Sequence, residues 1–189
     1  MIKAIIFDCF GVLVTDGWKA IREEFVSDID RTETAHALDV RVNAGLMDYD
    51  DFIKQVAKLS GLTTQEVRSR INNTVPNQRL FDYIKRDLKP DYKIGLLSNV
   101  NKGVIDELLT NEQLDLFDEK VLSFERGYTK PDARIYQDIL NKLTTEPEEA
   151  VFTDDIERYC VAAEDLGVKS IQYKDFDSFY KSLNKILEK

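Results

Sequence analysis

Cysteine and histidine are scarce in this chain of 189 residues. It has two cysteines, Cys9 and Cys160, and one histidine, and neither cysteine belongs to a CxxC motif or another metal-binding spacing. A disulfide framework or a cysteine-based zinc site needs more cysteines at characteristic spacings. The sequence therefore argues against both and favours a reducing environment.

Positive charge is also in short supply. The chain has 26 Lys and Arg residues against 35 Asp and Glu residues, which gives a formal net charge of −9. Nucleic acids and anionic membranes bind proteins through cationic surfaces. Neither is therefore an expected partner, and a bound cation is easier to accommodate than a bound polyanion.

Long apolar runs are missing as well. The N-terminal segment MIKAIIFDCF has a short apolar run with an acidic residue inside it and no small-residue cleavage site. A signal peptide or a membrane span needs a longer uninterrupted run. We expect a cytoplasmic protein.

Five short runs rich in apolar and β-branched residues predict strands. The last four alternate with segments in which apolar residues recur every three or four positions, as in an amphipathic helix. Buried strands that alternate with helices are typical of a parallel sheet covered on both faces. The sequence thus predicts an α/β fold with a doubly wound, five-stranded parallel sheet and a Rossmann-like core. The predicted strands are residues 3–7, 92–97, 120–124, 150–153 and 168–173.

An insertion interrupts this alternation. About eighty residues separate the first two predicted strands, far more than one crossover connection requires. Residues 18–73 have helical patterning, and we predict a helical cap subdomain at residues 15–76, with a core domain at residues 1–14 and 77–189. The cap is acidic with few large apolar patches, so we expect a monomer.

Polar residues follow four of the predicted strands directly or within a short loop. Ligands of open α/β sheets bind at the carboxyl ends of the strands, so we expect these side chains to converge on one edge of the sheet. A second Lys-Pro-Asp tripeptide, at 89–91, precedes a strand and is expected to be a turn at the opposite edge. The candidate site residues are Asp8, Ser98, Asn99, Lys130, Asp154 and Asp155.

Four segments resemble the motifs of the haloacid dehalogenase-like hydrolase superfamily. They are FDCFGVLV, LLSN, the lysine of YTKPDARIY, and VFTDD. The segment NAGLMDYDDFIKQVAKLSGL is similar to the helical cap of the subgroup that carries its cap between the first and second motifs. The resemblance spans nearly the whole chain and implies a five-stranded core with a cap, in which Asp8 attacks the substrate.

These groups suit phosphoryl transfer. A carboxylate such as Asp8 can attack phosphorus and form an aspartyl-phosphate, but like charges about 4 Å apart repel by about 4 kcal/mol at an effective dielectric of about 20. Mg²⁺ held by Asp8 and Asp154, with Asp155 as a further ligand or neighbour, would offset that repulsion. Lys130 and Ser98, with Asn99 beside them, would bind the phosphoryl oxygens. The resemblance adds the backbone carbonyl of Phe10 as a metal ligand.

The side chain of Phe10 departs from the family's pattern. Most phosphatases of the superfamily carry an aspartate there as general acid and base, and such catalysis contributes roughly 10² to 10⁴ in rate. The favoured hypothesis is still a Mg²⁺-dependent phosphatase acting on a small phosphorylated molecule.

Two alternatives remain. One is a catalytically weak protein with a binding or regulatory role, which Tyr159 also favours because an asparagine often occupies that position in the family. The other is a 2-haloacid dehalogenase, since halide leaves without a proton; those enzymes need no metal and have neutral residues where this chain has Asp154 and Asp155. Beside the site, Trp18 and Lys19 are expected either to face the cleft or to pack within the cap.

Overall fold

The structure, a computed structural model, describes residues 1–188. Five parallel strands form one sheet in the order β3-β2-β1-β4-β5. This confirms the predicted doubly wound sheet, because the first strand lies at its centre and the chain extends from it in both directions. The strands are β1 (Ala4–Phe7), β2 (Lys93–Ser98), β3 (Glu119–Leu122), β4 (Ala150–Asp154) and β5 (Lys169–Gln172).

The central strand β1 shows why the sheet is covered on both faces. Successive side chains of a strand point to opposite faces, and all four residues of β1 are buried. Ile5 and Phe7 belong to one hydrophobic cluster, whereas Ala4 and Ile6 belong to another. The sheet therefore lies between two hydrophobic layers.

Four helices between β1 and β2 form the helical cap. They are α1 (Gly17–Glu23), α2 (Ile29–Asn43), α3 (Tyr49–Ser60) and α4 (Thr64–Ile71). Asp48 caps the N-terminus of α3, and Gly61, in the left-handed conformation, ends it. The cap has a hydrophobic cluster of its own, separate from the two beside the sheet. This separation supports the proposed division into a cap at 15–76 and a core at 1–14 and 77–189.

The remaining helices pack on the sheet. Residues 78–88 form α5 (Gln78–Tyr83) and a π-helical turn (Ile84–Leu88). The tripeptide at 89–91 lies in a turn, as expected. No helix within residues 1–188 is long and apolar enough to cross a membrane. The other helices are α6 (Val104–Leu108), α7 (Asn111–Leu114), α8 (Ala133–Leu143), α9 (Glu157–Glu164) and α10 (Phe176–Leu187).

Two paired chain segments connect the cap to the core. The chain leaves the core at Thr15 and returns to it at Val75, beside Thr15. The amide of Thr15 donates a hydrogen bond to the carbonyl of Val75 at 3.0 Å, and the amide of Val75 donates one to the hydroxyl of Thr15 at 2.8 Å. A second contact lies across the cleft, where the hydroxyl of Ser123 donates a hydrogen bond to the carbonyl of Asn43 at the end of α2. These contacts hold the cap over the carboxyl ends of the strands.

Candidate active site

A buried lysine lies at the centre of the site. Lys130 is 2% exposed, and its Nζ donates hydrogen bonds to Asp8 Oδ1 at 2.7 Å, Asp154 Oδ2 at 2.6 Å and the carbonyl of Leu97 at 3.2 Å. An ammonium group has three donors, and here each of them has an acceptor. The lysine therefore neutralises charge on two carboxylates that come from different strands.

The register of the parallel strands brings those two carboxylates together. Phe7 of β1 is paired with Thr153 of β4, so Asp8 and Asp154, the next residues along each strand, lie side by side. The amide of Asp8 also donates a hydrogen bond to the carbonyl of Thr153, at 2.9 Å. Equivalent positions at the carboxyl edge of a parallel sheet are neighbours, as the sequence predicted.

Asp155 completes a group of three carboxylates. Asp8, Asp154 and Asp155 each offer one oxygen, and these three atoms lie within 4.8 Å of one another. When all three are ionised, Lys130 and Lys19, the second at 3.4 Å from Asp155, offset two negative charges and one remains. Carboxylate oxygens are the ligands that hard divalent cations prefer, so the residues fit a cation such as Mg²⁺ in donor type and in charge.

Gly11 makes room for the third carboxylate. Its φ is +85°, and a Cβ atom added there would lie 2.5 Å from Cγ of Asp155. Glycine is therefore required both for the backbone conformation and for the close approach. The neighbouring Phe10 is half-buried and lines the cleft beside Asp8. Metal coordination by its carbonyl stays a prediction.

The two polar residues at the carboxyl end of β2, Ser98 and Asn99, have different surroundings. Ser98 is fully buried, and its Oγ has no hydrogen-bond partner within residues 1–188. A buried hydroxyl without a partner costs about 1–3 kcal/mol, so this atom suits a bound ligand. Asn99 instead accepts a hydrogen bond from the amide of Lys130 at 2.8 Å and donates one to its carbonyl at 3.1 Å. Asn99 thus holds the backbone of the central lysine.

Burial and mutual charge shift the pKa values of the site in defined directions. Burial, with the charges of Asp154 and Asp155, raises the pKa of Asp8 above its ordinary value, although Lys130 opposes the shift. Burial lowers the pKa of Lys130, but the Asp154 and Asp8 carboxylates outweigh it, and the net shift is upward. Burial and Asp154 raise the pKa of Asp155. The lysine stays protonated, and the carboxylates gain by binding a cation.

Aromatic rings cover the lysine. Nζ of Lys130 lies 5.3 Å from the ring centroid of Phe152 and 5.2 Å from that of Tyr159. The Tyr159 hydroxyl is also 3.4 Å from Nδ2 of Asn99. The sequence analysis identified Tyr159 only as a departure from the family's pattern. No local pattern could indicate that α9 turns this side chain towards Lys130.

The cap contributes to the site in both of the expected ways. Lys19 of α1 reaches across the cleft, with its Nζ 3.4 Å from Oδ2 of Asp155. Trp18 packs within the cap, edge-on to Phe52 with 5.3 Å between ring centroids, and it also lines the cleft. Lys19 therefore contacts the core, and Trp18 stabilises the cap.

A cavity of about 450 Å³ lies between the cap and the edge of the sheet. Asp8, Lys130 and Asp155 are part of its wall, and so are side chains from all four cap helices. Its volume is in the range of small-molecule sites. Asp8, Lys130 and Asp155 thus face a space that can hold a ligand larger than phosphate.

Comparisons with known proteins identify the family. A model of the haloacid dehalogenase-like hydrolase family matches residues 2–167. The D-ribitol-5-phosphate phosphatase of Bacteroides thetaiotaomicron is 30% identical over an alignment of 206 positions, which covers 99% of this chain and 99% of that protein. The bifunctional epoxide hydrolase 2 of Sus scrofa is 24% identical over 98% of this chain, but the chain spans only 39% of that protein's length.

Solved structures share the fold. A HAD-like family hydrolase from Porphyromonas gingivalis superposes with a TM-score of 0.77, at 25% identity over 100% of this chain and 99% of that one. A HAD family enzyme from Bacteroides thetaiotaomicron, in complex with magnesium and inorganic phosphate, gives a TM-score of 0.72 at 22% identity over 95% and 100% of the two chains. The second likeness supports the fold alone.

Proposed function

The chain belongs to the haloacid dehalogenase-like hydrolases, and on that premise we propose that it is a Mg²⁺-dependent phosphatase that hydrolyses a small phosphomonoester. The observation that carries the proposal is the group of Asp8, Asp154 and Asp155 around the buried Lys130. The phosphatase activity in the name of the 30% identical relative supports it.

Asp8 is the proposed nucleophile. A carboxylate oxygen of Asp8 forms a bond to phosphorus, the bond from phosphorus to the leaving oxygen breaks, and the electron pair departs with that oxygen. Water then attacks the phosphorus of the aspartyl-phosphate, which releases phosphate and restores the carboxylate. The cleft beside Asp8 gives the ester access to the Asp8 carboxylate and gives water access to the phosphorus of the intermediate.

The other residues offset charge and position groups. Lys130 neutralises Asp8 and Asp154, and Asn99 fixes the backbone from which the lysine side chain extends. The Oγ of Ser98, which is buried without a partner, is a donor suited to a phosphoryl oxygen. Asp8, Asp154, Asp155 and the Phe10 carbonyl would hold Mg²⁺, which when bound would offset the negative charge that the lysines leave and align the phosphoryl oxygens.

The phenyl ring of Phe10 keeps a second function open. Because Phe10 cannot donate a proton to the leaving oxygen, a weakly active or binding protein is the alternative. The dehalogenase is disfavoured, because Asp154 and Asp155 supply the carboxylates that a metal-independent enzyme does not need. A cytoplasmic location, a monomeric state and the lack of nucleic-acid and membrane partners stay predictions.

One experiment separates these functions. Phosphate release from 4-nitrophenyl phosphate is measured with the folded protein in Mg²⁺ and in EDTA. We expect release in Mg²⁺ alone, and a loss of at least roughly 10³-fold in Asp8→Asn, since the amide is not a nucleophile. Asp115→Asn, at an exposed position on the core, is the matched control. Folded protein that binds Mg²⁺ but releases no phosphate would favour the binding role.

A further inference from the structure

Apolar side chains form one part of the wall of the cavity over Asp8, and polar and charged side chains form the rest. The apolar ones come from both sides of the cleft, and we call them the apolar wall. Three lie on the core side and three on the cap side. They are Phe10, Val104 and Leu108 of the core and Trp18, Tyr49 and Phe52 of the cap.

The cap side of this wall is aromatic. Trp18 meets Phe52 edge-on, with 5.3 Å between ring centroids, and Tyr49 is stacked on Phe52 at 6.1 Å. Trp18 and Phe52 are buried in the hydrophobic cluster of the cap, whereas Tyr49 is half-buried. Tyr49 therefore offers a ring on which an aromatic group of a ligand packs favourably.

The two arginines of the cap wall, Arg22 and Arg68, already have carboxylate partners within the cap. Arg22 binds Asp16 at 2.8 Å, and Arg68 binds Asp50 at 2.5 Å. These pairs satisfy the guanidinium charges within the cap itself. A ligand is therefore not required to supply a carboxylate or a second phosphate to this part of the cleft.

The chemistry beside the nucleophile adds an independent constraint. Phe10, which lines the cavity beside Asp8, has no proton to donate, and Asp155 as a proposed Mg²⁺ ligand would be ionised. The leaving oxygen would then depart as an anion and take its proton from water afterwards. A phenolic oxygen has a pKa of about 10, whereas the pKa of an aliphatic alcohol is several units higher, close to that of water. A phenolate therefore leaves far more readily than an alkoxide when no proton is donated.

We infer that the substrate is an aryl phosphate, whose aromatic ring packs against the apolar wall and whose phenolic oxygen leaves without general acid catalysis. This inference rests on the proposed function. In the first step the bond between phosphorus and the Asp8 oxygen forms, the aryl oxygen–phosphorus bond breaks, and the phenolate takes a proton from water. No further reactant is needed.

Four phosphate compounds separate the two constraints. Phenyl phosphate is apolar with a good leaving group, and cyclohexyl phosphate is apolar with a poor one. Acetyl phosphate is small and polar with a good leaving group, and ribitol 5-phosphate is polar with a poor one. We expect kcat/KM to be at least tenfold higher for phenyl phosphate than for any of the other three. A preference for acetyl phosphate or ribitol 5-phosphate would overturn the inference.

Variants test each constraint by itself. Leu108→Gln should raise the KM for phenyl phosphate several-fold and affect acetyl phosphate less, while Val161→Gln, 47% exposed on α9, should change neither. Phe10→Asp should raise kcat for cyclohexyl phosphate by roughly 10²-fold and for phenyl phosphate only slightly, because a proton matters most to a poor leaving group. Equal effects on both compounds would contradict the leaving-group argument.

Binding gives a readout that does not depend on turnover. Calorimetry with the Asp8→Asn protein measures the affinity for phenyl phosphate and for ribitol 5-phosphate. Tighter binding of phenyl phosphate supports the apolar wall even if the proposed phosphatase activity fails. Equal or weaker binding overturns the inference even if that activity is present.

Discussion

The ring of Tyr159 lies over the ammonium group of Lys130, with 5.2 Å between the ring centroid and Nζ. Its hydroxyl is 3.4 Å from the amide of Asn99, which in turn holds the backbone of the same lysine. Tyr159 therefore restrains Lys130 through its ring and through its hydroxyl. A cation–π contact contributes about 0.5–2 kcal/mol.

We expect Tyr159→Leu to lower kcat by up to about tenfold, because one tenfold step in rate corresponds to about 1.4 kcal/mol. Tyr159→Phe keeps the ring, so its kcat should stay within about threefold of that of the original protein. Steady-state kinetics with an activated aryl phosphate measures both. If Phe and Leu are equally damaging, the hydroxyl and Asn99 are responsible rather than the ring.

Gly11 and Gly61 form a matched pair for a test of the metal site. Both have positive φ, +85° at Gly11 and +75° at Gly61. A Cβ atom added at Gly11 would collide with Asp155, whereas a Cβ atom added at Gly61 would have no atom within 4 Å. Alanine at either position should destabilise the protein by about 1 kcal/mol or more through backbone strain. Gly11→Ala alone should also weaken Mg²⁺ binding, by at least about tenfold, since a displacement of Asp155 moves a ligand. Urea unfolding and calorimetric Mg²⁺ titration measure the two effects, and equal Mg²⁺ affinities would argue against Asp155 as a ligand.

Removal of the Lys130 charge should destabilise the fold. Lys130→Met leaves Asp8 and Asp154 adjacent and buried without their counter-ion, and breaking such a buried pair costs about 3–5 kcal/mol. Lys85→Met breaks an ion pair of similar length, 2.6 Å to Glu112, that is exposed to solvent, and it should have little effect. Urea unfolding in EDTA compares the two. Similar losses in both variants would show that the burial of the pair is unimportant.

The stability of the metal-free protein should fall as the pH rises. Burial raises the pKa of Asp8 from 3.8 to about 8, so between these values the folded state binds more protons than the unfolded state, and the stabilisation is lost as the pH rises. Mg²⁺ binds the ionised carboxylate, so its stabilising effect should be larger at high pH.

Thermal unfolding at pH 5.5 and pH 8, in EDTA and in Mg²⁺, measures this dependence. We expect a lower Tm at pH 8 than at pH 5.5 in EDTA, and a larger increase on adding Mg²⁺ at pH 8. Asp8→Asn should reduce both differences. A metal-free Tm that rises steadily with pH, in the variant as in the original protein, would be incompatible with a raised pKa of Asp8.

The sequence by itself determined the architecture and the edge at which the site lies. Strands and helices follow from apolar periodicity, which is a local property, and each predicted strand overlaps an observed one. Asp8 and Asp154 could be placed together because parallel strands bring equivalent positions to the same edge. The end of α3 at Gly61 is also a local property, since the left-handed conformation that ends the helix there favours glycine.

The tertiary structure alone decided which atoms of the site contact one another. The contact of Tyr159 with Lys130, the hold of Asn99 on the lysine backbone and the approach of Gly11 to Asp155 all join segments that are distant in sequence. Such contacts depend on the paths of loops and on the rotation of helices against the sheet, which periodicity does not encode. The apolar wall over Asp8 likewise exists only because the cap folds back onto the core, so its chemistry could not be predicted from either segment separately.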